Sequence, residues 1–172
     1  MDKAYIETVR LLLEAAPTIF ETPDFALKGG TAIILFVQDM PRLSVDIDVV
    51  YTDYRASRTD ALKSISGALE TARTRLAEME LEAEVSSTKE GDEIKLFIRR
   101  GRNQVKVEVN HVFRGTVLPV EQRSLGAEAR RVFTTELVAP VLATAELYGS
   151  KLVAALDRQH PRDLFDVHGL FE

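Results

Sequence analysis

Leu27 to Val50 reads LKGGTAIILFVQDMPRLSVDIDVV, and this stretch decides the fold. Phe25, Ala26 and Leu27 form a short apolar strand that runs into Gly29 and Gly30. Thr31 to Gln38 has almost no polar surface, so it is predicted to be a buried helix. Asp39 to Arg42 turns at Pro41, and Val45 to Tyr51 is predicted to be a strand. Side chains alternate along a strand, so Val45, Ile47 and Val49 share one face while Asp46, Asp48 and Val50 share the other. The two aspartates therefore stand opposite a β-branched core stripe.

Outward from this stretch the chain alternates helix and strand patterns. Residues 3–16 are amphipathic, with Ile6, Val9, Leu12 and Leu13 on one stripe, and Pro17 is expected to end that helix. Residues 57–79 repeat Leu62, Ile65, Leu69, Leu76 and Met79 near helical spacing. Leu81 to Ser87 suits a strand. Ile94, Leu96 and Ile98 alternate, Gly101-Arg102-Asn103 turns the chain, and Val105, Val107 and Val109 alternate back, which predicts a hairpin. Residues 115–135 read as strands and loop. Thr144 to Arg158 and Arg162 to Leu170 read as two helices broken at Pro161. The class is mixed α+β.

The 172 residues suffice for one domain with a core, and 45% hydrophobic against 28% charged residues is ordinary for a globular protein. The absence of cysteine excludes disulfides, thiolate zinc sites and cysteine nucleophiles. No apolar run approaches the ~20 residues that cross a bilayer, and no signal pattern opens the chain. A soluble cytoplasmic protein with no membrane partner is expected. The net charge of -5 argues against a nonspecific nucleic-acid coat. The charge is uneven, however: residues 94–172 carry 12 Lys and Arg against 9 Asp and Glu, and the preceding residues carry 10 against 18. Arg99, Arg100, Arg102, Arg114, Arg123, Arg130 and Arg131 suit either a solvated surface or a nucleic-acid backbone.

Two glycines at a strand-to-helix turn let backbone amides approach a phosphate, and the helix start favours an anion. A plain tight turn capped by Thr31 is the alternative, and Lys28 either faces the phosphates or flanks the turn. Asp46 and Asp48, ~7 Å apart at their Cα atoms, offer hard oxygens suited to Mg²⁺ or Mn²⁺. Asp-x-Asp alone is commonly just solvated. Glu108, in Val-Lys-Val-Glu-Val-Asn, becomes a third carboxylate if its strand neighbours theirs. Carboxylates holding metal beside a phosphate-binding turn are what nucleotidyl transfer from a nucleoside triphosphate requires. Lys151, Arg158, Arg162, Asp163 and Asp166 form a charged set that suits either a triphosphate or ordinary surface ion pairs. His111, His160 and His168 lack metal-ligand spacing, and no Walker Gly-x-x-x-x-Gly-Lys run is present.

The order of these motifs resembles the AbiEii/AbiGii toxins, the MenT-type nucleotidyltransferases of the DNA polymerase β superfamily. The residues that carry it are Leu27 to Ala32, Arg42-x-Ser44-x-Asp46-Ile-Asp48, Lys106-Val-Glu108-Val-Asn110, and Lys151 through Arg158 to Arg162-Asp163-Leu-Phe-Asp166. The resemblance implies a polymerase-β-like core, here 1–136, and a short C-terminal helical segment, 137–172, packed on it as one unit. Relatives often continue into more helices, so a minimal helical part is expected. It also implies a toxin of a bacterial toxin–antitoxin system with a cognate antitoxin. Some such toxins transfer nucleotides from a nucleoside triphosphate to the tRNA 3′ end and stop translation.

By position, the resemblance makes Asp46, Asp48 and Glu108 the metal ligands. Lys28, Gly29, Gly30, Thr31, Arg42, Ser44, Lys151, Arg158 and Arg162 become nucleotide or phosphate contacts. Lys151, Asp163 and Asp166 join the carboxylates as catalytic positions. Two other readings stay open: transfer to a protein hydroxyl, and a catalytically silent nucleotide-binding partner.

Overall fold

The structure, a computed structural model, describes residues 3–87, 94–110 and 114–171. Among these, seven strands form one mixed sheet. In chain order the elements are α1 (Lys3–Phe20), β1 (Phe25–Lys28), α2 (Gly29–Ala32) continuing into a π-helical turn (Ile33–Val37), β2 (Asp46–Tyr51), α3 (Arg58–Glu78) and β3 (Glu82–Ser87). They continue with β4 (Ile94–Arg100), β5 (Asn103–Asn110), β6 (Glu121–Ser124), α4 (Ala127–Phe133), β7 (Val138–Val141), α5 (Thr144–Arg158) and α6 (Pro161–His168). The strand order is β3-β4-β5-β2-β1-β7-β6. The pairs β2–β5 and β1–β7 are parallel and the others antiparallel.

Alternation assigns the two faces. Ile47, Val49, Leu96, Ile98, Val105 and Val107 are fully buried on the face covered by α1 and α3. Asp46, Asp48, Lys106 and Glu108 occupy the opposite face. The helix after Gly30 is buried as its apolar sequence predicts, with Ile33, Ile34 and Leu35 at 0% exposure. Its last turn widens: the Gln38 amide donates to the Ile33 carbonyl at 2.7 Å, five residues back. That adjustment delivers the chain to Pro41 and the start of β2.

Two local expectations fail, and one strand lies where none is expected. Helix α1 does not stop at Pro17 but runs to Phe20. Proline removes one donor, and burial of Thr18 and Ile19 outweighs that loss. The 115–135 segment contains helix α4, seven residues whose inward positions are only Ala129 and Phe133. Its start is capped from outside, with the Glu128 amide donating to Asp39 Oδ1 at 2.7 Å, a partner no local pattern reveals. Strand β7 contains Pro140, which disguises it, yet it pairs with β6 and β1.

Candidate active site

The β2–β5 pairing brings the acidic residues together. Asp48 lies directly across from Glu108, and Asp46 across from Lys106, in parallel register. Lys28, the last residue of β1, lies across from Asp48 on the other side. The sheet thus lines Lys28, Asp48, Glu108 and, on β4, Lys95 in one row. The neighbourhood Glu108 needs to join the two aspartates is therefore present.

Gly29 and Gly30 stand against this row. Gly29 has φ +72°, and a Cβ there would collide with the Asp48 carboxylate. A Cβ on Gly30 would come within 3.0 Å of Arg42 Nη2 and 3.5 Å of Ser44 Oγ. Glycine is thus required at Gly29, and at Gly30 a Cβ would crowd the end of the Arg42 side chain. No side chain caps the start of α2. The Thr31 side chain is buried: its hydroxyl donates to the Asp46 carbonyl and pairs with Ser44 Oγ at 2.8 Å. It ties the helix to β2 and so fixes the aspartates relative to the glycines. Gly29→Ala is expected to cost about 1–2 kcal/mol from the left-handed backbone alone, and more from the displaced carboxylate. A urea titration reads this, and an unchanged midpoint would contradict it.

Electrostatics distinguish the three carboxylates. Burial, the charge of Asp46 and then that of Glu108 push the Asp48 carboxyl above its ordinary value, against the pull of Lys28 and Lys106. Glu108 moves the other way. Burial raises it, but hydrogen bonds from Lys95 and Lys106 and their charges outweigh burial and hold it low. Hard oxygens on one sheet face suit Mg²⁺ or Mn²⁺ by donor chemistry. As the side chains stand, no three acidic or imidazole groups among the described residues gather around one point. The two oxygens of Glu108 are instead paired with lysine ammonium groups at 2.9 and 3.0 Å.

A second charged group closes the other side. Asp166, fully buried on α6, accepts from Arg42 Nε at 2.8 Å and Nη2 at 2.7 Å, a bidentate pair. Lys151 on α5 reaches Asp163 at 2.9 Å and Asp166 at 3.0 Å. Arg158 meets Asp163 at 3.0 Å. Burial raises the Asp163 carboxyl, but Lys151 and Arg158 bring it below its ordinary value. Of the two readings open for this set, surface pairing does not describe Lys151, Asp163 and Asp166, since all three are largely buried. The two aspartates anchor Arg42, Lys151 and Arg158. Arg162 is exposed and, with Arg42, Ser44, Asp46 and Tyr5, lines a cleft of about 290 Å³.

The remaining sequence candidates separate. His160 caps α6, its Nδ1 accepting from the Arg162 amide at 3.2 Å. His168 ends α6, and His111 lies outside the described residues. Arg99, Arg100, Arg123 and Arg131 pair with Glu84, Glu14, Glu121 and Glu128, so they are engaged with acidic neighbours. Sequence reading missed Lys95 and Lys106 as parts of the site; their positions flanking Glu108 on a hairpin were the available signal. No helix among the described residues is long and apolar enough to cross a membrane.

The fold is that of the MenT nucleotidyltransferases. It is similar to MenT4, a nucleotidyltransferase toxin from Mycobacterium tuberculosis H37Rv, with TM-score 0.64 and 22% identity over 96% of this chain and 59% of that one. This chain thus spans about three-fifths of the length of that relative. No curated protein matches the sequence. The family model described as nucleotidyl transferase AbiEii toxin, type IV toxin–antitoxin system, matches residues 10–172. The chain belongs to the AbiEii nucleotidyltransferase toxin family.

Proposed function

We propose that this chain transfers a nucleotide from a nucleoside triphosphate to an RNA acceptor, the tRNA 3′ end, and acts as the toxin partner of a cognate antitoxin by blocking translation. The observation that carries the chemistry is the in-register pairing of Asp48 with Glu108 beside the Gly29-Gly30 turn. Family membership supports the toxin role. The tRNA acceptor rests on the resemblance to MenT-type enzymes, since the paired arginines leave the surface charge without a separate argument.

Asp46, Asp48 and Glu108 would hold Mg²⁺ or Mn²⁺, which when bound would neutralise the triphosphate and acidify the acceptor hydroxyl. The helix start at Gly29 and Gly30 leaves amides for phosphate oxygens. Arg42 and Lys151 are pre-aligned by Asp166 and Asp163, so their charges are set before substrate arrives. Arg162, exposed at the cleft, would reach the outer phosphates, and Arg158, exposed but paired with Asp163, would join it by leaving that partner. Ser44, tied to Thr31, holds the approach to Asp46.

The test incubates the protein with Mg²⁺, each labelled nucleoside triphosphate and total tRNA. Label is expected on tRNA with one triphosphate preferred. Label on a co-expressed protein with tRNA unmarked would replace RNA by a protein hydroxyl as acceptor. No transfer to either, with no metal-dependent nucleotide binding by calorimetry, would leave a silent binder.

A further inference from the structure

Glu108 is held from both sides. Lys95 Nζ lies 2.9 Å from Oε1, and Lys106 Nζ lies 3.0 Å from Oε2. Lys106 also reaches Asp46, with Nζ 4.0 Å from Oδ1. Register puts these groups within reach of one another. Lys106 is two residues before Glu108 on β5 and directly across from Asp46 on β2, so all three side chains rise from the same face. Lys95 stands across from Glu108 on β4. An ammonium group therefore bridges two of the three carboxylates at the place where a cation would neutralise them. Its side chain is about a third exposed, and a flexible four-carbon stem lets it leave.

We propose that Lys106 is a built-in counter-cation of the carboxylate site, which a divalent ion must displace before it can take the oxygens of Asp46 and Glu108. Two consequences follow from charge alone. Metal binding without nucleotide is weak, because each new metal–oxygen contact breaks an ion pair. Metal and triphosphate bind with positive coupling, because the triphosphate offers the displaced ammonium a new anionic partner. Lys106 is thus a positioning residue that suppresses loading by metal alone. The inference rests on the nucleotidyltransferase reading of the same site.

The experiment measures Mn²⁺ binding to the full chain by the loss of the free-ion electron paramagnetic resonance signal, with and without a non-hydrolysable nucleoside triphosphate. Lys106→Met is expected to tighten Mn²⁺ binding without nucleotide by at least about fivefold, at the lower end of usual coupling. Lys106→Arg, which keeps the charge, should stay near the parent. The gain in Mn²⁺ affinity on adding the triphosphate should be smaller in Lys106→Met than in the parent. Lys106→Gln repeats the test with a polar head, so a folding defect peculiar to methionine does not decide the result. Circular dichroism checks that each variant is folded. Unchanged or weaker Mn²⁺ binding in both neutral variants overturns the inference. Adding Asp48→Asn separates the two claims. If parent binding depends on Asp48 but the neutral variants bind no tighter, the counter-cation role fails and the enzyme reading survives. If no Asp48-dependent Mn²⁺ binding exists in any of these proteins, both fail.

Discussion

Asp48→Asn is expected to abolish nucleotide transfer and, at neutral pH without divalent ions, to raise the melting temperature. The two effects have one cause. Asp48 is partly buried beside Asp46 and Glu108, and desolvation and those charges push its carboxyl above the ordinary value of 3.8. In the metal-free protein an ionised Asp48 therefore opposes folding, and asparagine keeps the shape without the charge. Each kcal/mol relieved should raise the melting temperature by roughly 2–4 °C for a chain of this size. Transfer should fall by at least about 10²-fold, the scale on which a single electrostatic group matters in an active site. Mg²⁺ should stabilise the parent and not the variant. A variant that melts below the parent in chelator, or that transfers label normally, would contradict this.

The same shift sets a sign for pH. A carboxyl whose folded pKa is raised binds its proton more readily in the folded state, so stability rises as pH falls through that raised value. Glu108 and Asp163 have the opposite sign, since both are held below their ordinary values of 4.5 and 3.8. Their contribution is complete above those values and is lost as pH falls through the lower folded ones. Metal-free protein should therefore gain stability on mild acidification and lose it further down. The gain should vanish in Asp48→Asn.

Asp166→Ala is expected to have the largest effect on stability. Asp166 is fully buried and answers two cations, Arg42 and Lys151, whose side chains are 21% and 11% exposed. Its removal leaves both without that partner, and breaking such a buried pair costs about 3–5 kcal/mol. For this chain length the melting temperature should fall by roughly 10 °C. Arg42→Leu combined with Asp166→Leu should recover most of the loss, because the Arg42 charge goes with its partner and Lys151 keeps Asp163. Transfer should be impaired in both, as Arg42 is no longer aimed in the first and is absent from the second. A melting temperature for Asp166→Ala within 1–2 °C of the parent, on the order of ~0.5 kcal/mol, would show that the pair is not needed for the fold.

The strongly periodic segments were legible without coordinates. The 57–79 helix and the 94–109 hairpin stand within a residue or two of expectation, because each carries its own apolar stripe. Helix α4 and strand β7 were not legible. Seven residues with two inward positions, and four residues around a proline, hold their shape through partners elsewhere, Asp39 for one and β1 and β6 for the other. Pro17 misled for the same reason, since tertiary burial overrode a local stop signal.

The site divides along the same line. Its residue types, the double glycine and the alternation that sets Asp46 and Asp48 against a valine and isoleucine face were determined by the amino-acid order alone, since side-chain direction along a strand depends on nothing beyond that strand. That Glu108 neighbours Asp48, that Lys106 sits between two carboxylates, and that Lys151 and Arg42 converge on Asp163 and Asp166 were decided only by the tertiary structure. Asp48 and Glu108 lie 60 residues apart along the chain and Arg42 and Asp166 lie 124 apart, and the pairing of distant strands and helices follows from how the whole core buries its apolar surface, not from any local pattern.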